Sequence, residues 1–452
     1  AGPVDSETFA KPTMLVSEDP TAAERLLEGA FGAWEFDAVA LAAVTSNRPL
    51  SALGMYLFSQ LGFVEDFSLS KGKLSRFLEE IESGYRDSNP YHNATHAAAV
   101  LHSMHAILAN GGVAEGVAPV LEASSPQLVR MACLLAAAVH DYEHEGLSND
   151  FLVKTSHKRA IRYNDLHVNE NHHAAAAFAV LLRSECNFLE VLPPQDYGLL
   201  RRLVIDLVLG TDMSSHDEIL ESACKALVAS SSRSSSSSMP QAAVEPAAPH
   251  EAMLLLQLAI KVADLGHAAL AWETHLQWVQ SLEAEFFLQG DRERELGLPV
   301  SFLMDRCKPG APATQVGFCE NVALPLFCLL AKVAPGTEHA LASVRANFQR
   351  WRAYEASGSS APATPPERLA STRSCTTSRK DKIVPPQTQR RRGAVPPASA
   401  GSSRSQPAAS ASGTGPRAGS AIASSSSSTS EGEKLGQRRR KSGRARQRAA
   451  KW

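Results

Sequence analysis

The sequence predicts an all-α protein, a compact multi-helix bundle followed by a disordered C-terminal tail, on three observations. Apolar residues recur at three- and four-residue steps, as in Leu53, Tyr56, Leu57, Leu61 and again in Leu74, Phe77, Leu78, Ile81. Alternating β-branched segments bounded by Asn-Gly or Asp-Gly turns are missing, while long Ala/Leu-rich runs fill 126–140, 172–184 and 196–209. The third observation is a break in composition after Ala356. Residues 357–452 hold 19 Lys and Arg against 4 Asp and Glu, a net +15, which leaves −17 on the first 356 of the 452 residues. With almost no large apolar residues, that basic Ser/Ala/Pro/Arg segment cannot repay the entropy of ordering itself.

Taken in order, residues 1–33 mix Pro, Gly and acids and read as a weakly structured lead-in. Helical periodicity begins at Trp34 and continues to about residue 356, the span of one large globular unit. Within it, residues 229–248 are a Ser-rich and then Pro/Ala-rich stretch, read as a low-complexity surface insertion because helical pattern resumes at Met253. The longest uninterrupted apolar run, Met131 to Val139, is far short of the ~18 residues a spanning helix needs, so no transmembrane segment is expected. Seven scattered cysteines without a CxxC spacing point to a reducing compartment, and the cytoplasm is the expected location.

Chemistry is concentrated in three places. Asn89-Pro90 offers an N-cap and a first-turn proline, predicting a helix that carries His92 and His96 on one face. Two histidines at that spacing are ordinary by themselves and gain force only in context. His140-Asp141 ends the apolar run and is followed by Tyr142-Glu143-His144-Glu145-Gly146. A polar cluster abutting a buried helix is costly unless its members pair with one another or hold a cation. The third place is Asp264, a single carboxylate closing the apolar stretch from Leu258. Aspartate is a poor helix former that is rarely buried unpaired, so a shared cation with His96, His140 and Asp141 is its natural explanation. Two His and two Asp suit Zn²⁺, and Asp141 could bridge to a second, octahedral Mg²⁺ or Mn²⁺. Such a pair, about 3.5–4 Å apart, suits in-line displacement at phosphorus.

The stretches Asn89-Pro-Tyr-His-Asn-Ala-Thr-His-Ala, Ala138-Val-His-Asp-Tyr-Glu-His-Glu-Gly, Tyr163-Asn-Asp, Glu170-Asn-His-His, Thr211-Asp-Met-Ser and Glu285-Phe-Phe-Leu-Gln-Gly-Asp occur in that order. They resemble the catalytic domain of class I cyclic nucleotide phosphodiesterases over residues 34–356. Within that family the chain is most similar to the calmodulin-dependent class, with the cyclic-AMP-specific class next. The resemblance implies an HD-domain-like bundle with a deep di-metal pocket and hydrolysis of cAMP, cGMP or both to 5′-monophosphates. It also implies that His96, His140, Asp141 and Asp264 hold the first metal. A bridging hydroxide would attack phosphorus while His92 protonates the O3′ leaving group. His144, Glu170, Thr211 and one of His172 or His173, with His173 the choice, would orient metal-bound waters. Gln315 would read the purine edge, Phe318 would stack on the base opposite Val300, and His267 matches the calmodulin-dependent class. Ala99, Ala268, Phe302 and Met304 depart from the family pattern and bear on the rim of the substrate pocket.

Two other readings stay open at this level. One is a catalytically weak or dead relative that binds cyclic nucleotide or acts as a scaffold, which the intact set His96, His140, Asp141 and Asp264 argues against. The other, an HD phosphohydrolase acting on nucleoside triphosphates, gives no reason for Gln315 and Phe318. The basic tail reads first as a solvated linker; its clusters at Arg390–Arg392 and Arg438–Lys441 are also of the kind that binds anionic surfaces or acts as a nuclear signal, and attraction to the acidic domain is an intramolecular variant. Lys11 and Arg25 stand against six acids before Trp34, so no basic amphipathic calmodulin target is visible in this chain.

Overall fold

The computed structural model describes residues 20–233, 245–308, 310 and 312–358. By internal contacts the chain divides into two units, of which the second, Glu367–Lys441, lies wholly outside these residues. The tail expected from residue 357 therefore falls outside the description, apart from the last turn of the helix Glu338–Ser357 and Gly358.

Among the described residues every regular element is helical and no strand occurs. The centre is the helix Pro126–Val139. Ser125 caps it by accepting from the Leu128 amide, Pro126 takes the first helical position, and nearly every side chain from Leu128 to Val139 is buried. It is surrounded by Pro49–Gln60, Ala94–Gly111, Pro194–Gly210 and Pro249–Asp264. Ala132, Ala136, Ala137 and Ala138 keep its surface thin enough for several helices to pack against it at once.

Three local expectations need correction. Residues 20–30 of the lead-in are a helix, Pro20–Ala30, whose last carbonyl accepts from the buried His102 Nε2 at 3.0 Å. The first residues of the Ser-rich stretch continue the helix His216–Arg233, and residues 234–244 lie outside the described residues. Finally, the helix of the first histidine pair begins at Ala94 rather than Pro90. Asn93 is its cap, accepting from the amides of Thr95 and His96 at 3.0 and 3.2 Å, so His92 sits in the preceding loop. Asparagine's short amide satisfies the free first-turn donors better than a cap four residues earlier could.

By length and composition the helical stretch Pro312–Val333 could cross a membrane, but 56% of its apolar window is buried inside the fold. It is a core element. A π-helical turn, Cys319–Ala323, follows Phe318 and precedes Pro325, which has no amide hydrogen to donate into the ladder. Gly290 lets the loop 301–305 close on the helix Trp272–Glu295: a Cβ there would fall 1.7 Å from the Met304 carbonyl oxygen.

Candidate metal and substrate pocket

The end of the central helix delivers His140 into a cluster with Asp141, His96 and Asp264, whose nearest ligand atoms all lie within 4.8 Å of one another. His140 Nδ1 donates to the Ala137 carbonyl at 2.9 Å, which in the neutral ring leaves a lone pair on Nε2. That nitrogen faces His96 Nε2 at 3.3 Å, Asp141 Oδ2 at 3.1 Å and Asp264 Oδ1 at 3.4 Å. His96 Nε2 in turn lies 3.5 Å from Asp141 Oδ2 and 3.2 Å from Asp264 Oδ1. Lone pairs of two imidazoles and two carboxylates converge on one point, an arrangement that fits a divalent cation.

A second place beside Asp141 also fits a cation with its waters. His173 Nδ1 donates to the Tyr142 carbonyl at 2.5 Å, and its buried Nε2, 3.7 Å from Asp141 Oδ1, has no hydrogen-bond partner among the described residues. Such an orphaned acceptor needs a donor, which cation-bound water supplies. Glu170 borders the same cavity as Asp141 and accepts from Asn149 Nδ2 at 2.9 Å. Burial, then the charge of Asp212, lifts its carboxyl to about 8. His172 bonds Glu143 Oε2 at 2.7 Å.

His92 is held by Glu285, a residue with no role in the reading from sequence. Glu285 Oε2 accepts from the amides of Tyr91 and His92, both at 3.0 Å, while Oε1 takes a short contact from His92 Nδ1. The free Nε2 then points to Asp141 Oδ2, 3.9 Å away. Burial pushes the His92 imidazole down, but Glu285 and then Asp141 outweigh it and lift it to about 9. His144 lies against His92 with ring centres 4.1 Å apart and planes inclined at 34°; burial and the His92 charge lower it to about 4, so it stays neutral. Asn89 Nδ2 ties the carbonyls of His92 and His144 together, 2.9 Å from each. Glu285 was findable: Leu282 and Gln289, three and four residues away, share its helical face, and an acid buried there asks for a partner.

The cluster opens into a cavity of about 870 Å³. His92, Asp141, His144, Glu170, Thr211, Asp264, His267, Gln315 and Phe318 all line it. His267 lies parallel to Phe318, ring centres 6.5 Å apart, and its Nδ1 is 3.2 Å from His275 Nδ1. Val300 does not line the cavity. Leu276, Val279, Leu282 and Phe286, spaced along one face of the helix Trp272–Glu295, supply its apolar wall instead, because Val300 falls in the loop beyond that helix. None of Ala99, Ala268, Phe302 or Met304 lines it either.

An all-α bundle whose central helix ends in a His-Asp cluster beside a mononucleotide-sized cavity defines a class of metal-dependent phosphohydrolases. Residues 91–344 match the 3′5′-cyclic nucleotide phosphodiesterase family, and the chain belongs to it. It is 37% identical over 299 residues to the dual specificity calcium/calmodulin-dependent 3′,5′-cyclic nucleotide phosphodiesterase 1C of Mus musculus, covering 66% of this chain and 39% of that protein. Identity to the 3′,5′-cyclic-AMP phosphodiesterase 4C of Rattus norvegicus is 34% over 337 residues, with 74% and 59% coverage. The chain thus spans about two fifths of the length of the dual-specificity relative. The crystal structure of the phosphodiesterase domain of the RhoPDE fusion protein from the choanoflagellate Salpingoeca rosetta superposes with a TM-score of 0.63 at 27% identity, over 74% of this chain and 99% of that one.

Proposed function

We propose that the protein hydrolyses 3′,5′-cyclic nucleotides to 5′-monophosphates and so ends cyclic nucleotide signals. The observation that carries this reading is the pairing of His92 with Glu285 beside the four-residue cluster, because it sets a proton donor against the place where a phosphodiester would be held. His96, His140, Asp141 and Asp264 would hold Zn²⁺, the ion suited to their two nitrogens, and Asp141 would share Mg²⁺ or Mn²⁺. Bound there, the two ions supply positive charge for the phosphate and acidify water for the attack.

The chain's own residues account for the other parts of the reaction. Glu285 accepts from His92 Nδ1, so the remaining ring proton sits on Nε2 and faces the cavity, where it passes to the departing O3′. His144, neutral beside it, shields that ring without competing for the proton. His173, Glu170 and Thr211 hold water around Asp141. Gln315 offers an amide donor and acceptor to the purine edge, while Phe318 stacks on the ring, with Leu282 and not Val300 as its apolar counterpart. An amide that can present either edge suits both adenine and guanine, in keeping with the dual-specificity relative.

Hydrolysis of cAMP and cGMP, measured with added Zn²⁺ and Mg²⁺, tests the proposal. Metal-dependent release of 5′-monophosphate is expected; intact binding of cyclic nucleotide without turnover under every metal condition would favour the binding-protein reading. The basic charge of the tail favours anionic surfaces as partners of this cytoplasmic enzyme, an attraction that weakens as salt rises.

A further inference from the structure

Lys261 lies one helical turn before Asp264 and is 2% exposed, a burial that lysine rarely tolerates unless paired. No carboxylate bonds it among the described residues. Its Nζ instead donates to three successive carbonyls, Gly210 at 3.1 Å, Thr211 at 3.4 Å and Asp212 at 3.3 Å. An ammonium has three N–H donors, and here each finds one acceptor. The acceptors are the end of the helix Pro194–Gly210 and the two residues after it, where carbonyls run out of intrahelical partners and the helix dipole is negative. Burial pulls the lysine down to about 8, while the charges of Asp264, Asp212 and Glu170 hold it up.

The tethered segment is a wall of the cavity. Thr211, Asp212, Met213 and Ser214 all line it. The Thr211 hydroxyl spends its proton on the Val208 carbonyl at 2.8 Å, leaving its lone pairs as acceptors, and Asp212 accepts from the Ser214 amide at 2.7 Å and contacts His167 Nδ1 at 2.7 Å. Among the described residues neither side chain makes another hydrogen bond. Gln257, on the same helix as Lys261, bonds only the Asp206 carbonyl, one turn earlier.

We infer that Lys261 is a positioning residue for this site: it clamps residues 210–212 so that Thr211 and Asp212 face the cations beside Asp141. The inference rests on the metal-dependent reading above. One helix thereby fixes the Asp264 ligand and, a turn earlier, the opposite wall.

Lys261→Met keeps the length and removes every donor; Lys261→Gln keeps two donors without the charge. In each full-length variant, Mn²⁺ binding to the zinc-loaded protein is read by electron paramagnetic resonance, alongside kcat, KM and the melting temperature. Loss of the clamp should weaken Mn²⁺ binding and lower kcat by about ten-fold or more in the Met variant at temperatures where it is fully folded, with the Gln variant in between. A lysine that only balanced the neighbouring carboxylates would give the opposite sign, tighter Mn²⁺ binding on its removal, and that result overturns the inference. So does a lower melting temperature with wild-type Mn²⁺ affinity and kcat. If the Met variant does not fold, the Gln variant decides on the same readouts. A wild-type chain that binds Mn²⁺ but turns over no cyclic nucleotide would remove the phosphodiesterase reading while leaving the Mn²⁺ comparison intact.

Discussion

His96 and His140 meet Nε2 to Nε2 at 3.3 Å, although they come from different helices and are separated by 44 residues in sequence. Nδ1 of His140 is committed to the Ala137 carbonyl, so its Nε2 faces His96 Nε2 and the carboxylates of Asp141 and Asp264, which add only acceptors. A cation at that point is shared by all four side chains.

The first prediction follows from that convergence. His140→Ala and Asp264→Ala should each reduce bound zinc, read by elemental analysis, and abolish turnover, since one lost ligand costs both affinity and the acidity of bound water. Full zinc occupancy in either variant takes that residue out of the ligand set.

His92 and Glu285 are separable by leaving group. General acid catalysis contributes roughly 10²–10⁴-fold when the departing oxygen is strongly basic, as a ribose alkoxide is, and little for p-nitrophenolate. His92→Ala should therefore slow a cyclic nucleotide severely and a p-nitrophenyl phosphodiester far less, at unchanged metal content. Glu285→Gln should show the same bias more weakly, because the amide still accepts from the Tyr91 and His92 amides but no longer holds the imidazole by charge. Equal losses on both substrates would assign His92 to substrate binding instead.

Gln315 and Phe318 are expected to act on binding. Gln315→Ala leaves polar atoms of the base unpaired, a cost of about 1–3 kcal/mol, so KM should rise roughly 5- to 150-fold with kcat affected less. The measurement is the steady-state KM–kcat split for both cyclic nucleotides. An unchanged KM would show that the base lies elsewhere in the cavity.

Acid stability should depend on buried neutral histidines. His105 is 2% exposed, its Nε2 has no hydrogen-bond partner among the described residues, and burial, helped by Arg130, lowers it to about 4. A depressed histidine favours the fold above the unfolded value near 6.5, and that contribution is lost as pH falls from there towards 4, up to about 3 kcal/mol. His105→Leu removes this titration without leaving an orphaned nitrogen. Its melting temperature should fall less than that of wild type between pH 7.5 and pH 5; parallel pH profiles would mean that His105 is protonated at no cost in the fold.

The sequence alone determined the helical class, because period-3.6 apolar patterning is local and needs no knowledge of neighbours. It also marked His96, His140, Asp141 and Asp264, since ligand chemistry is written in residue types and the last three stand where an apolar helix turns polar. Tertiary structure decided what depends on distance across the chain. Glu285 binds His92 over 193 residues, so its neighbours in sequence mark it as an acid in need of a partner but do not say which partner it finds. Val300 does not line the cavity, whose apolar wall comes from Leu276, Val279, Leu282 and Phe286, because the direction of a side chain follows from the helix that carries it and Val300 lies past the end of that helix. Lys261 reads in sequence as a break in an apolar stretch; only the packing of two helix ends turns it into a clamp on the wall of the pocket, because a buried ammonium must find its acceptors wherever the fold leaves carbonyls unpaired.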